Sequence, residues 1–245
     1  MSDIYHSSIL EGKIMTFNHN IINKILQKIF PLPEQFGTIN GIDSTDTLID
    51  IESKICQVDS KASLYHGASK MVITSPNFGN VVIKIPFNGL YEEDEKTGEL
   101  YWYDFSWATG SSSNDYCLAE YEKYHRLKTY GLDCFVAKTL YYKKINGVRI
   151  FLQEQVTPEN DLCSSYIPSL QSKDLANKWY KEGRFDIESE WIANCLDKYG
   201  ESKVKRFLYY CTNIDPDILE DTHGGNYGYR INGTPAILDY SNYMD

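Results

Sequence analysis

The chain has 245 residues, 42% of them hydrophobic and 14% aromatic, which is enough apolar material for one large domain or two small lobes around a core. Its formal net charge of −10 and pI near 5.0 argue against a polyanion held by the overall field, so nucleic acid is not an expected partner. The six cysteines lack any C-x-x-C pair and fit reduced thiols in the cytoplasm, and no apolar run is long enough to span a bilayer.

In chain order, FNHNIINKILQKIF (17–30) places Phe17, Ile21, Ile22, Ile25, Leu26 and Ile29 on one helical face, and Pro31 stops it. STDTLIDIESKICQV predicts a second helix capped near Ser44, with Leu48, Ile51 and Ile55 turned inward. From Leu64 the period changes to two. SLYHGASKMVITSPNFGNVVIKIPF reads as strand, glycine turn, strand, a hairpin turn at Asn77–Asn80, then the strand VVIKIPF. Residues 88–114 form an acidic and aromatic insertion, with Glu92–Glu95 expected as a solvated loop. CLAEYEKYHRLKTYG is helical up to Gly131, and short strands follow near FVAKTLYYKK and VRIFLQEQV. After Thr157 the pattern is helical: Trp191, Ile192, Cys195 and Tyr199 repeat in one segment, and Val204, Phe207, Leu208 and Cys211 in the next. A β-rich first half and a helical second half predict an α+β protein of two lobes.

Close to the end lies DTHGGNYGYRINGTPAILDY (221–240). If PAILD is the second strand of a hairpin turning at Asn232-Gly233, Asp239 returns towards the loop of Asp221 and Asn226. Two carboxylates and an amide would then converge. Oxygen ligands of this kind suit Mg²⁺, which keeps several waters and takes few protein ligands beside substrate phosphates.

These segments together resemble the protein-kinase-like superfamily, from about Leu64 to Asp245. VVIK (81–84) looks like the third-strand V-A-I-K, which makes Lys84 the cation for the α- and β-phosphates of ATP. HGASKMV places Gly67 like the middle glycine of the phosphate loop, while the other two glycine positions hold Tyr65 and Lys70, and Lys70 is a further phosphate contact. In LAEYEKY the resemblance implies Glu120 as the helix partner of Lys84, with Glu122 as fallback. Glu154 to Val156 match the hinge, whose backbone would bind adenine. LEDTHGGN matches the catalytic loop: Asp221 as base or orienter, His223 in place of the loop lysine, and Asn226 as a metal ligand. LDYS replaces D-F-G, with Asp239 as the main Mg²⁺ ligand.

The implied fold is α+β and two-lobed. Residues 1–60 form a helical extension, 61–156 a mainly antiparallel N-lobe carrying the 88–114 insertion, and 157–245 a truncated helical C-lobe. Leu219 and Glu220 replace the H-R that precedes the catalytic aspartate in many relatives, and six residues follow Asp239, so neither an activation segment nor a peptide-seating region is expected. The implied activity is ATP- and Mg-dependent transfer of a phosphoryl group to a protein Ser/Thr. A pseudokinase acting by docking and an AMP-transferring enzyme stay open as alternatives, as does a homo-oligomer. Each residue also has a plainer reading: Lys84 as an edge-strand lysine, Glu120 as a surface ion-pair residue, Gly67 as an ordinary turn.

Overall fold

The computed structural model describes residues 5–8, 15–105, 115–159, 167–185, 188–220 and 225–240. The chain divides into two units, Met1–Tyr121 with Thr139–Glu154, and Glu122–Lys138 with Gln155–Asp245. The protein is α+β, and every pairing between its named strands is antiparallel.

In the first unit, strands β1 (Tyr5–Ser8) and β2 (Met15–Asn18) precede helix α1 (His19–Ile29). The Asn18 side chain accepts from the Ile21 amide and opens the helix two residues later than the apolar period implied, so Phe17 is a strand residue and not part of the helical face. Helix α2 (Asp46–Val58) is capped near Ser44 as expected, by Thr45, whose hydroxyl accepts from the Leu48 amide. Its Leu48, Ile51 and Ile55 are buried as their spacing predicts. Five strands follow as one sheet: β3 (Ser63–His66), β4 (Lys70–Thr74), β5 (Val81–Pro86), β8 (Thr139–Ile145) and β9 (Val148–Glu154), in the order β3-β4-β5-β9-β8. The link from β4 to β5 carries a 3-10 turn at Pro76–Phe78.

Side chains alternate across a strand, and that parity organises the unit. Met71 and Ile73, Ile83 and Ile85, and Ile150 and Leu152 share one core with Ile22, Ile25, Leu26 and Ile55 of the two helices. Burying each such side chain is worth about 1.5–3 kcal/mol, which is why the helices are held to this face. Lys70, Lys84 and Gln153 have the other parity and belong to the opposite face.

The insertion contains a hairpin, β6 (Gly89–Glu93) and β7 (Leu100–Asp104). Glu92 and Glu93 are therefore strand residues; the turn begins at Asp94, whose carboxylate accepts from the amides of Lys96 and Thr97.

Helix α3 (Tyr116–Thr129) contributes its first part to this unit and, from Glu122, its second part to the other. In the second unit it meets α4 (Leu170–Lys181), α5 (Ser189–Tyr199), α6 (Glu201–Asn213) and the short α7 (Asp217–Glu220). Tyr124, Leu127, Trp179, Trp191, Ile192, Val204 and Phe207 fill their common core. Asp215 is buried against Lys123 and Arg126, so the Asp215-Pro216 step ends α6 with a carboxylate that has cationic partners. Among the described residues no helix is long and apolar enough to cross a membrane.

A small sheet completes the second unit: β10 (Thr157–Pro158), β11 (Tyr227–Tyr229) and β12 (Pro235–Ile237), in that order. The predicted hairpin is present, with Gly233 at φ 73° in its turn. Arg230 anchors it by donating to the carbonyls of Cys134, Val136 and Pro235. Gly228 is required by close approach, because a Cβ there would meet the Thr157 carbonyl oxygen at 1.9 Å. Gly228→Ala must push β10 away from β11, and we expect a loss of about 2–4 kcal/mol, read as a lower midpoint in urea denaturation. Gly67→Ala, where a Cβ meets nothing within 4 Å, should leave that midpoint within about 0.5 kcal/mol of wild type.

Candidate functional site

β5 is the central strand of the five and is buried from Val81 to Ile85. Lys84 is thus no edge-strand lysine. Register sets Val72 and Phe151 opposite it, with Lys70 two residues along β4 on the same face. Thr139 on β8 pairs with Gln153 on β9, which pairs with Val82, so all of these polar residues share that face.

Helix α3 supplies the counter-charge. Cys117, Glu120, Tyr124 and Leu127 are buried at helical spacing, so Glu120 occupies an inward position, whereas Glu122 is exposed. Both carboxylate oxygens of Glu120 accept from Lys84 Nζ at 2.9 Å. Lys70 Nζ reaches Glu120 Oε1 at 2.9 Å, and Gln153 Nε2 donates to Oε2 at 3.1 Å and to Thr139 Oγ1 at 3.1 Å. Lys84 is 2% exposed and Glu120 0%. Charges are taken so far from water only where partners and hydrogen bonds compensate for lost solvation. Burial pushes the neighbouring Cys117 thiol well above its ordinary range, which favours the protonated, non-nucleophilic form.

Lys70 sits at a glycine position of the resembled loop, and in this structure its ammonium is committed to Glu120. Gly67 lies in the β3–β4 turn, its amide donating to the Lys70 carbonyl, and the turn places no steric demand on it. Glu154 closes β9 opposite Val81, the last residue of the first unit before the chain passes to the second at Gln155. Val156 packs with Ala137 and Ala236 in a small apolar cluster of the second unit.

In that second unit the hairpin brings two predicted metal ligands together. The amides of Leu238 and Asp239 both donate to the Asn226 carbonyl, at 2.8 and 3.3 Å, so Asn226 and Asp239 are neighbours across the base of the hairpin. Ala137 N donates to Ile237 O and the Tyr240 hydroxyl to Ala137 O, which fixes the strand just ahead of Asp239. One carboxylate and one amide match the donor chemistry of Mg²⁺ bound mainly by water and phosphate. Among the described residues there is no group of three His, Cys, Asp or Glu side chains able to hold a metal by protein ligands alone. Asp221 and His223 lie outside the described residues.

Sequence reasoning missed Gln153 and Thr139. A glutamine interrupting the apolar run IFLQ, at the same parity as Lys84, was the signal available. An open groove of about 730 Å³ lined by Trp179, Arg184, Lys205, Arg206 and Tyr209 in the second unit contains none of the predicted site residues.

No family model matches the chain, and no curated protein or solved structure matches it at a significant level.

Glu120→Ala removes the carboxylate that Lys84 and Lys70 share, and removing one side of a buried pair costs about 3–5 kcal/mol. Lys84→Met leaves Lys70 with Glu120 and should cost clearly less. Urea denaturation of the two variants checks this order; equal losses would mean that Lys70 does not share the carboxylate in solution.

Proposed function

We propose that the chain is an ATP- and Mg-dependent phosphotransferase of the protein-kinase-like type, with a protein Ser/Thr hydroxyl as acceptor. The observation that carries this reading is the buried Lys84–Glu120 pair, formed between the strand and the helix that the motif order had singled out. An ordinary surface lysine and glutamate would not be desolvated together in this way. The hairpin that sets Asn226 beside Asp239 adds support from an independent part of the chain.

Phosphoryl transfer depends mainly on positioning and on neutralising charge. In this reading Glu120 fixes the direction of Lys84, whose ammonium attracts the α- and β-phosphates. Lys70 supplies cationic charge where the resembled loop uses backbone amides. Asn226 and Asp239 would hold Mg²⁺, which neutralises phosphate charge when bound. Asp221 orients the acceptor hydroxyl and takes its proton, and His223, when protonated, donates to the γ-phosphate. The Glu154–Val156 segment offers backbone groups to adenine.

The deciding experiment uses ATP labelled at either the α- or the γ-phosphate, with purified chain and a mixture of acceptor proteins. Transfer of the γ-label alone is expected, and Asp239→Ala should lower it by at least about a hundredfold, the scale set by losing a group that acts on the transition state. Transfer of the α-label would mean AMP transfer. Binding without any transfer would mean a pseudokinase. In a melting assay Mg-ATP should stabilise the wild type more than Lys84→Ala; an equal shift would remove Lys84 from the site.

A further inference from the structure

Buried polar atoms nearly always find a partner in folded proteins. Among the described residues, four of the seven buried side-chain atoms that lack one belong to a single neighbourhood of the second unit: Glu159 Oε2, Trp191 Nε1, Asn194 Oδ1 and Tyr227 Oη. The fold explains their meeting. Pairing of β10 with β11 sets Thr157 opposite Tyr229 and Pro158 opposite Gly228, which carries Glu159 alongside the Tyr227 end of β11. Trp191 and Asn194 are three apart on α5, on one helical face. The Trp191 and Tyr227 ring centroids are 5.6 Å apart, and Asn194 Nδ2 donates to the Tyr229 hydroxyl. Asn194 is 0% exposed and Tyr227 1%.

The same place is acidic. Burial first, and then the charges of Glu190 and Glu188, push the Glu159 carboxyl above the usual carboxylate range, against a smaller downward pull from its hydrogen bond with Tyr229; Oε2 is the oxygen left over. Burial, then hydrogen bonding towards Glu188 and the charges of Glu188 and Glu159, push the Tyr227 hydroxyl well up, so its proton is directed at Glu188 and its oxygen is left as the acceptor. Among the described residues, the ion pairs of this unit engage Asp215, Asp217, Glu182 and Glu201, and none involves Glu159, Glu188 or Glu190. Acceptors and negative charge are thus gathered here, with Glu188 and Glu190 exposed at the margin and Asn194 and Tyr227 beneath.

We propose that this cluster is a binding site for an organic cation, a primary ammonium or guanidinium that passes Glu188 and Glu190 and donates hydrogen bonds to Glu159, Asn194 and Tyr227. A metal ion fits less well, because the described carboxylates do not converge as a set of metal ligands. A nitrogen cation donates in several directions and also gains from nearby aromatic rings. The Trp191 N–H is a donor and needs an acceptor, so the best ligand carries a carbonyl or hydroxyl oxygen near its nitrogen. A basic side chain within a polypeptide has that combination; a free polyamine has the cation alone. The inference does not depend on nucleotide binding.

Calorimetric titration at neutral pH and constant ionic strength tests it, with spermidine as one probe and a blocked Lys-Arg-Lys peptide as the other. Saturable one-to-one binding of either probe is expected, weakened at least about tenfold by Glu159→Gln, as losing a charge-assisted hydrogen bond implies. Glu188→Gln with Glu190→Gln should weaken it as well. Preference for the peptide identifies a polypeptide segment as the ligand, and preference for spermidine a free polyamine. Absence of saturable binding by both probes, or equal affinity in Glu159→Gln, overturns the proposal. Stability provides a second readout. A carboxyl whose folded-state pKa is raised is disfavoured when ionised, so its contribution worsens as pH rises through that raised value. Glu159→Gln should therefore melt higher than wild type at neutral pH without ligand; a lower melting temperature would mean that the carboxylate is already satisfied, and would sink the idea.

Discussion

The meeting of Glu120 with Lys84 and Lys70 is the constraint on which the first unit depends. Three charged groups lie in a region that water hardly reaches, and each would be costly there alone. Their arrangement follows from strand parity. Once Met71, Ile73, Ile83 and Ile85 are committed to the core shared with α1 and α2, Lys70 and Lys84 have no choice of side. A helix covering that side must then bring a carboxylate, and α3 does so at Glu120, within its own buried stripe. Gln153 and Thr139 extend the network across β9 and β8, so the carboxylate is oriented by side-chain donors from three strands.

The second unit solves a different problem. Its short three-stranded sheet has too little apolar area to hold itself together, and it relies on specific anchors. Arg230 holds three carbonyls with one guanidinium, and the Tyr199 hydroxyl lies within hydrogen-bond distance of two of the same carbonyls, those of Cys134 and Pro235, with its single proton to give to one of them at a time. Stacked Phe135 and Phe207 rings tie this region to α6. The hairpin is thereby held in one register, and register decides that Asn226 and Asp239 are neighbours. The acidic neighbourhood of Glu159 is the contrasting case, in which burial and like charge oppose stability. Such costs persist where a group is kept for something other than folding.

Much of this was legible in the sequence. The two N-terminal helices, the strands from Leu64 to Pro86, the α3 segment and the NG hairpin all follow from periodicity and turn chemistry. The first helix was misjudged at its boundary, where local hydrogen bonding outweighed apolar spacing: Asn18 took the role of cap and left Phe17 in a strand. Glu120 and Glu122 could not be separated by motif order with certainty, since both precede apolar helical positions; burial separates them. Loop position suggested Lys70 as a phosphate contact but could not show its protein partner, because only strand register sets it beside a carboxylate fifty residues away.

Sequence alone determined which residues alternate, which cap and which turn, because those properties depend on neighbours a few positions apart. It therefore settled the α+β character and put forward Lys84, Asn226 and Asp239 as candidates. Tertiary structure alone decided that Lys84 lies on a central strand, that Glu120 serves two lysines, and that Glu159 lies alongside the Tyr227 end of β11. Those facts depend on which segments pair across long stretches of chain, and burial of charge is a property of that pairing and not of any local pattern.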